Sequence, residues 1–205
     1  MWFPLALIVL GVGVAFAQRL LRSKDRTRAR SSAWMRWATA RGHAFRRYDG
    51  SFQRRAGESV RGRHQGVDFE LRLCRDGAHD DDARLVARVT ARGHQLTTAP
   101  LDVYASNEVA EFQRAMLRQW IDFQGSSFGE RWLVRGTRPD EAQELIGPSA
   151  QQRLLACDHV THVHVEADRV ELTFDGAIED PAVLDRGIEA ACGFFAERGS
   201  RRKAG

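Results

Sequence analysis

Two histidines near residue 160 have the spacing of a metal-ligand pair. In the segment 159–164, HVTHVH, a strand would place the side chains of His162 and His164 on one face, because side chains two positions apart point the same way. A His-x-His pair of this kind can bind Zn²⁺. Glu166 would share that face, but nothing in the sequence requires it or another residue to be a third ligand. The alternative is an ordinary exposed hairpin face, because the alternating valines supply much of the apolar surface. His162 and His164 are therefore the metal candidates.

A run of acidic residues offers ligands of another kind. Asp80, Asp81 and Asp82 are consecutive, and Asp76 precedes them. Carboxylates bind hard cations such as Ca²⁺, but the D-x-D-x-D-G spacing of an EF-hand loop is absent. Because consecutive carboxylates cannot all converge on one ion, we interpret the run as a solvated loop.

Residues suited to nucleophilic catalysis do not form a known arrangement. The sequence has no GxSxG elbow, and Ser126-Ser127 stands in a loop-type segment. Cys157 precedes an aspartate and a histidine, but sequence neighbours on a strand point to opposite faces. We therefore predict no catalytic and no cofactor-binding residues. A metal-dependent enzyme that uses His162 and His164 stays as an alternative.

The positive charge of the chain is concentrated near its N-terminus. The 205 residues carry 31 basic and 27 acidic side chains, a net charge of +4. Six of the basic residues lie close together: Arg19, Arg22, Lys24, Arg26, Arg28 and Arg30. Without this segment, which also contains Asp25, 25 basic and 26 acidic residues remain. The rest of the chain thus lacks the basic footprint of a nucleic-acid-binding domain.

The first 22 residues have the composition of a transmembrane anchor. No charged side chain occurs between Met1 and Gln18, and about 20 apolar residues in a helix span a bilayer core. The predicted membrane-facing residues are Trp2, Leu5, Leu7, Ile8, Val9, Leu10, Val12, Val14 and Phe16. The basic juxtamembrane linker that follows, residues 23–31, predicts a cytoplasmic C-terminal domain by the positive-inside rule.

A cleaved signal peptide is the alternative interpretation of the same segment. Ala15-Phe16-Ala17 matches the small-x-small pattern before a cleavage site. No lysine or arginine precedes the apolar run, however, whereas a signal peptide has a basic n-region. Cleavage after Ala17 would make the domain periplasmic or secreted.

Residues 32–198 have the pattern of one α+β domain. A helix with Trp34 and Trp37 on its apolar face comes first, and core packing is preferred over the membrane surface for both. Period-two segments from Ala44 to Tyr104 then predict four or five antiparallel strands in a meander. A helix capped by Ser106 or Asn107 follows, with an apolar stripe that ends at Phe123.

The second half of the domain predicts a strand, two short helices, a hairpin and a last helix. The segment 123–130, FQGSSFGE, is predicted as a loop and residues 131–135 as a strand. Capping patterns at Thr137 and Ser149 begin the short helices, and Asp180-Pro181 begins the last one. Residues 199–205 are predicted as a disordered basic tail. The order ββββα-βααββα favours a mostly antiparallel sheet in an α+β fold over a doubly wound one.

The second half of the domain has a pattern of segments that is also found in other proteins. Before the last helix it consists of ERWLVRG, PDEAQELI, a helix with RLL, and the hairpin VHVEADRVELTF. It resembles uncharacterised bacterial membrane-anchored proteins in which a hydrophobic N-terminal segment precedes an α+β domain of unknown function. The resemblance covers residues 128–198. Members of that group often have two membrane helices, whereas this chain has one hydrophobic segment. The resemblance implies no catalytic residues for this chain.

Together these patterns predict a single-pass membrane protein with a non-enzymatic domain for protein interaction or scaffolding. Its predicted partners are a lipid bilayer, through residues 2–21, and a protein at the membrane. No Gly-rich phosphate loop stands between a strand and a helix, so no nucleotide cofactor is expected. No nucleic acid and no small-molecule substrate are inferred.

Overall fold

Nine strands and five helices make up the described part of the chain. The computed structural model describes residues 29–48, 57–76, 84–106, 120–123 and 125–204. The strands are β1 Ala44–Tyr48, β2 Gly57–His64, β3 Val67–Asp76, β4 Arg84–Arg92, β5 Leu101–Ala105, β6 Trp120–Ile121, β7 Trp132–Gly136, β8 Val160–Glu166 and β9 Arg169–Phe174. The helices are α1 at residues 29–40, α2 Ser127–Arg131, α3 Pro139–Leu145, α4 Pro148–Leu155 and α5 Pro181–Ala204.

All nine strands belong to one antiparallel sheet. The order across the sheet is β1-β2-β3-β4-β9-β8-β5-β7-β6. The predicted meander is confirmed for β1 to β4, but β5 is not its fifth strand, because the β8–β9 hairpin lies between β4 and β5. Period-two alternation specifies which face a side chain takes, and it carries no information on the neighbouring strand.

The β2–β3 hairpin shows how local sequence forms the sheet. Gln65 and Gly66, between the two strands, have φ values of 49° and 83°, the left-handed region that a type I′ turn requires at both central positions. After the turn, Val67, Phe69 and Leu71 are buried, and the polar residues between them lie on the other face. The turn and the buried face both follow from the local sequence.

Helix α5 covers the apolar face of the sheet. Asp180 caps its first turn by accepting a hydrogen bond from the Ala182 N–H at 2.9 Å, and Pro181 is its first residue, as predicted. Its buried side chains pack over β3, β4 and β9; they are Val183, Leu184, Ile188, Ala191, Phe194 and Phe195. The helix continues to Ala204, through most of the segment that the sequence assigns to a tail.

Helix α1 packs into the core through its two tryptophans. Trp34 is fully buried, and its indole N–H donates to the backbone oxygen of Ile178 at 2.7 Å. The indole N–H of Trp37 donates to Asp185 of α5 at 2.9 Å. The core position preferred for both tryptophans is confirmed. Arg30, expected in the basic linker, lies instead in α1, is 7% exposed, and is 3.5 Å from Glu58.

The fold prediction is wrong in its first element, the transmembrane helix. None of the helices in the described ranges has both the length and the apolarity needed to cross a membrane. The longest of them, α5, has 24 residues, but its sequence contains charged residues such as Asp185 and Arg186. The segment 1–22 itself lies outside the described residues. The fold is a single nine-stranded antiparallel sheet with helices, and the single-pass membrane description is not supported.

Two element predictions in the middle of the chain also need correction. Trp120–Ile121 is strand β6, although the predicted helix stripe extended to Phe123; residues 107–119 lie outside the described part. The predicted loop 123–130 contains α2, where the Ser126 hydroxyl accepts from the Gly129 N–H at 3.2 Å. Helices α3 and α4 begin at prolines, whose fixed φ suits a first turn, one or two residues away from the predicted capping residues.

The Trp34 hydrogen bond provides a test of how α1 joins the core. Replacing Trp34 with Phe keeps an aromatic ring but leaves the buried oxygen of Ile178 without its donor. We expect the free energy of unfolding to fall by about 1–3 kcal/mol. Met35→Ala is the matched control on the same helix, since Met35 is 47% exposed, and we expect a change within about 0.5 kcal/mol. Urea unfolding followed by circular dichroism measures both; equal losses would contradict the assignment.

Candidate functional site

The face of the sheet opposite α5, here called the open face, carries the polar residues of almost every strand. Directly paired residues on neighbouring strands share a face, so the observed registers define one continuous row. From β2 to β6 this row is Arg61, Glu70, Thr90, Glu171, His164, Asp102, Arg135 and Trp120. A second row runs beside it through Arg72, Arg88, Thr173, His162, Tyr104 and Leu133. Both predicted metal candidates lie on this face.

Asp102 is the centre of the best-connected polar cluster on the open face. Its Oδ1 is 3.0 Å from Nε2 of His162 and 2.8 Å from Nδ1 of His164. Its Oδ2 accepts a hydrogen bond from Nη2 of Arg135 at 2.6 Å. Asp102 is 15% exposed, and the two imidazoles are about twice as exposed. The register that pairs β5 with both β7 and β8 brings these four side chains together.

These contacts determine the charge state of Asp102. Its burial would raise the pKa of the carboxyl group, but the hydrogen bonds from His162, His164 and Arg135 outweigh this and hold the pKa far below its ordinary value. An ionised carboxylate only accepts hydrogen bonds, so both imidazoles donate to it. The hydrogen bond to Asp102 in turn raises the pKa of Arg135. Asp102 is therefore a stable anion and a weak base at neutral pH.

Aromatic contacts continue the cluster toward the edge of the sheet. The ring of Tyr104 stacks on His162, with centroids 4.5 Å apart and an angle of 11° between the planes. The guanidinium carbon of Arg135 lies 5.5 Å from the Tyr104 centroid, and Trp120 meets Tyr104 edge to face at 6.3 Å. Contacts of these kinds are attractive in their own right. They hold an aromatic and cationic surface in one arrangement next to Asp102.

The other residues singled out in the sequence are not part of this cluster. His159 precedes β8 with a φ of 67°, and Glu166 accepts a hydrogen bond from Arg169 at 2.6 Å. The acidic run at residues 80–82 lies outside the described residues. So do the predicted membrane-facing residues and the basic residues from Arg19 to Arg28. These assignments stay predictions.

Cys157 and its two sequence neighbours do not form a catalytic group. Cys157 is 1% exposed, and its thiol donates to the backbone oxygen of Arg186 at 3.4 Å. Burial raises the pKa of this thiol to about 12. Asp158 lies instead 3.6 Å from Arg131. Cys157 is therefore a buried core residue.

Sequence reasoning missed Asp102 and Arg135, although a weak signal was present. Leu101, Val103 and Ala105 are buried, and this alternation already places Asp102 on the polar face of a strand. It could not show that β5 would lie beside β8, which is 60 residues later in the chain. Only the register of Asp102 opposite His164 places a carboxylate beside the histidine pair.

Comparison with known proteins identifies the fold and no family. No family model matches the chain, and no curated protein sequence matches it. Among solved structures, it is similar to the crystal structure of the mycobacterial trehalose monomycolate transport factor A, TtfA. The two chains are 13% identical, the TM-score is 0.58, and the match covers 82% of this chain and 93% of that one. The likeness shows a shared fold. It agrees in part with the resemblance over residues 128–198, which also implied an α+β domain.

Replacing Asp102 tests whether the cluster depends on its negative charge. Asp102→Asn keeps the size of the side chain but removes the anion that three donors share, so we expect the free energy of unfolding to fall by about 1–3 kcal/mol. Asp68→Asn is the matched control, because Asp68 is 77% exposed and its ion pair with Arg63 spans 3.5 Å; there we expect less than about 0.5 kcal/mol. Chemical denaturation at pH 7 measures both. Equal stability of Asp102→Asn and the unchanged chain would contradict this role.

Thiol reactivity tests the burial of the cysteines. Burial raises the pKa values of Cys157 and Cys192 to about 12, so at pH 8 the thiolate fraction of each is on the order of 10⁻⁴. We expect a thiol reagent to modify only Cys74, which is half-buried, until denaturant is added. Cys74→Ser is the control and should abolish the reaction of the native protein. Rapid reaction of Cys157 with the reagent in the native protein would contradict its burial and would make it a candidate nucleophile.

Proposed function

We propose that this chain is a non-enzymatic protein-interaction domain whose docking surface is an aromatic–arginine patch on the open face. The patch consists of Tyr104, Trp120, Leu133 and Arg135, which are all partly exposed. Tyrosine, tryptophan and arginine are the residue types that contribute most binding energy in protein interfaces. This concentration of all three at one edge of the sheet is the observation that carries the proposal.

The patch is suited to binding because its side chains are already held in place. Arg135 is fixed by its 2.6 Å hydrogen bond to Asp102, and Tyr104 lies between the ring of His162 and the ring of Trp120. Ordering flexible side chains at an interface costs about 0.5–1.5 kcal/mol for each one immobilised. Because these side chains are restrained before a partner arrives, that cost is small here.

The chemistry of the patch also defines its partner. Tyr104, Trp120 and Leu133 offer apolar contact area, and Arg135, one-third exposed, has further N–H groups that can point to a carboxylate or a backbone oxygen. The partner is a protein that presents apolar side chains beside an acidic or carbonyl group. The fold shared with TtfA, which is described as a transport factor, supports a partner with a role in transport.

The state of Asp102 favours binding over catalysis. A general base is most effective when its pKa lies near the working pH, whereas the pKa of Asp102 is held far below its ordinary value. Burial of Cys157 likewise disfavours a thiol nucleophile. The metal-dependent enzyme that the sequence left as an alternative stays a prediction.

The sequence leaves two compartments in which the partner could be met. The basic residues after the apolar segment favour the cytoplasm, and cleavage after Ala17 would place the domain outside it. Mass spectrometry of the mature N-terminus decides between them, because cleavage leaves Gln18 as the first residue. Reporter fusions at both termini provide an independent readout.

Site-specific photo-cross-linking in cells that express the protein tests the patch. A photoreactive amino acid at Leu133 should form one discrete adduct, and the same probe at Met35, 47% exposed on α1, should not. Adding Trp120→Ala or Arg135→Ala should remove the adduct. With the partner identified from it, each variant should weaken Kd by about 5–30-fold, which corresponds to 1–2 kcal/mol.

Two outcomes would contradict the proposed surface. Equal adducts from Leu133 and Met35 would mean that the patch has no preference for a partner. An adduct at Leu133 that survives both alanine variants would assign binding to other residues. Circular dichroism of each variant confirms that lost adducts do not come from lost folding.

A further inference from the structure

Three potential metal ligands from two neighbouring strands converge on the open face. They are Oδ1 of Asp102, Nε2 of His162 and Nδ1 of His164, and all three atoms lie within 4.8 Å of one another. Imidazole nitrogen and carboxylate oxygen are donors that Zn²⁺ and related divalent transition metals accept. We propose that Asp102, His162 and His164 bind one such cation per chain.

The two His–Asp contacts require only a small opening of the cluster, and the two histidine nitrogens, which lie within 4.8 Å of each other, have to reach the same tetrahedral spacing. In a tetrahedral site with bonds near 2.0–2.1 Å, neighbouring ligand atoms are about 3.4 Å apart. The two His–Asp distances are 3.0 and 2.8 Å, so each ligand atom has to withdraw by a few tenths of an ångström. Rotation of side chains that are about 30% exposed provides this without a change in the strands.

The histidines can provide lone pairs without a net change of charge. In the metal-free protein, Nε2 of His162 and Nδ1 of His164 donate to Asp102, so each carries the imidazole proton. When the cation binds, the proton on the nitrogen that faces Asp102 leaves it, and the other ring nitrogen can take up a proton from solvent. The nitrogen that faced Asp102 then presents a lone pair to the metal. Asp102 exchanges two hydrogen bonds for one metal–oxygen bond.

Neighbouring residues already orient the ligands as outer partners do in metal sites. Arg135 holds Oδ2 of Asp102 at 2.6 Å, which leaves Oδ1 for the cation, and Tyr104 stacks against the ring of His162. Such outer contacts usually change metal affinity by 10- to 100-fold. The positive charge of Arg135 also opposes the cation, so we expect weaker binding than at sites with several anionic ligands.

Among the described elements, the proposed ligands lie on the face of the sheet that α5 does not cover. Three protein ligands leave one site of a tetrahedral cation for water or an incoming donor. Because the ligands lie on the open face, beside the aromatic–arginine patch, that position is directed to the side where a partner is proposed to dock. The metal site does not depend on that partner and is tested on the chain alone.

Titration of the full-length chain with Zn²⁺ tests the site. With protein prepared without a histidine tag, calorimetry should give saturable binding of one cation per chain. His162→Ala, His164→Ala and Asp102→Asn should each weaken it at least about tenfold, as loss of a direct ligand exceeds loss of an outer one. His159→Asn is the matched control: it removes an exposed histidine near the site, and Asn tolerates the φ of 67°. Its affinity should not change.

Co²⁺ spectra of the unaltered protein provide a second measurement that needs no variant. We expect intense visible bands, typical of four-coordinate cobalt, that saturate at one equivalent. A weak spectrum like that of hydrated Co²⁺, with no saturable Zn²⁺ binding, would overturn the proposal. Unchanged Zn²⁺ affinity in folded His162→Ala and His164→Ala variants would also overturn it. So would a loss of affinity in His159→Asn as large as the loss in the ligand variants.

Discussion

The position of the β8–β9 hairpin between β4 and β5 is the constraint on which the rest of the structure depends. On one side, β9 extends the sheet begun by β1 to β4; on the other, β8 pairs with β5, followed by β7 and β6. The hairpin itself closes a short loop, but its pairing with β4 and β5 joins segments some 60–80 residues apart, at a cost in chain entropy. Burial of its apolar residues against α5 offsets that cost. Without the hairpin, the sheet would be two separate pieces.

The same arrangement gives the sheet two chemically different faces. Alternation along the strands sends most valine, leucine and phenylalanine side chains into the core beneath the helices, where they are almost fully buried. The remaining residues form the rows of the open face, in which opposite charges meet, as in the 3.3 Å contact of Arg88 with Glu171. Among these rows, Asp102 has the strongest need for hydrogen-bonding partners, because its carboxylate is charged and only 15% exposed. His162, His164 and Arg135 provide them.

The two proposed activities of the open face share these contacts. Arg135 belongs to the aromatic–arginine patch and holds Asp102, whereas Tyr104 belongs to the patch and stacks on His162. A cation at Asp102 and a protein at the patch would therefore influence each other through Arg135 and Tyr104, which belong to the patch and each contact one proposed metal ligand. The similarity to a transport factor concerns the fold, at 13% identity, and the chemistry of this face is argued from this chain's own residues.

The sequence by itself determined the local elements and the face that each residue takes. Turn residues and period-two alternation located the β2–β3 and β8–β9 hairpins, and Asp180-Pro181 located the start of α5, because these depend on neighbouring residues alone. The helical spacing of apolar residues predicted a helix through Trp120, but there pairing with β7 forms a strand instead. Tertiary structure alone decided that β5 lies beside β8, and hence that Asp102 meets His162 and His164. Strand order depends on contacts between distant segments, and no local pattern encodes them.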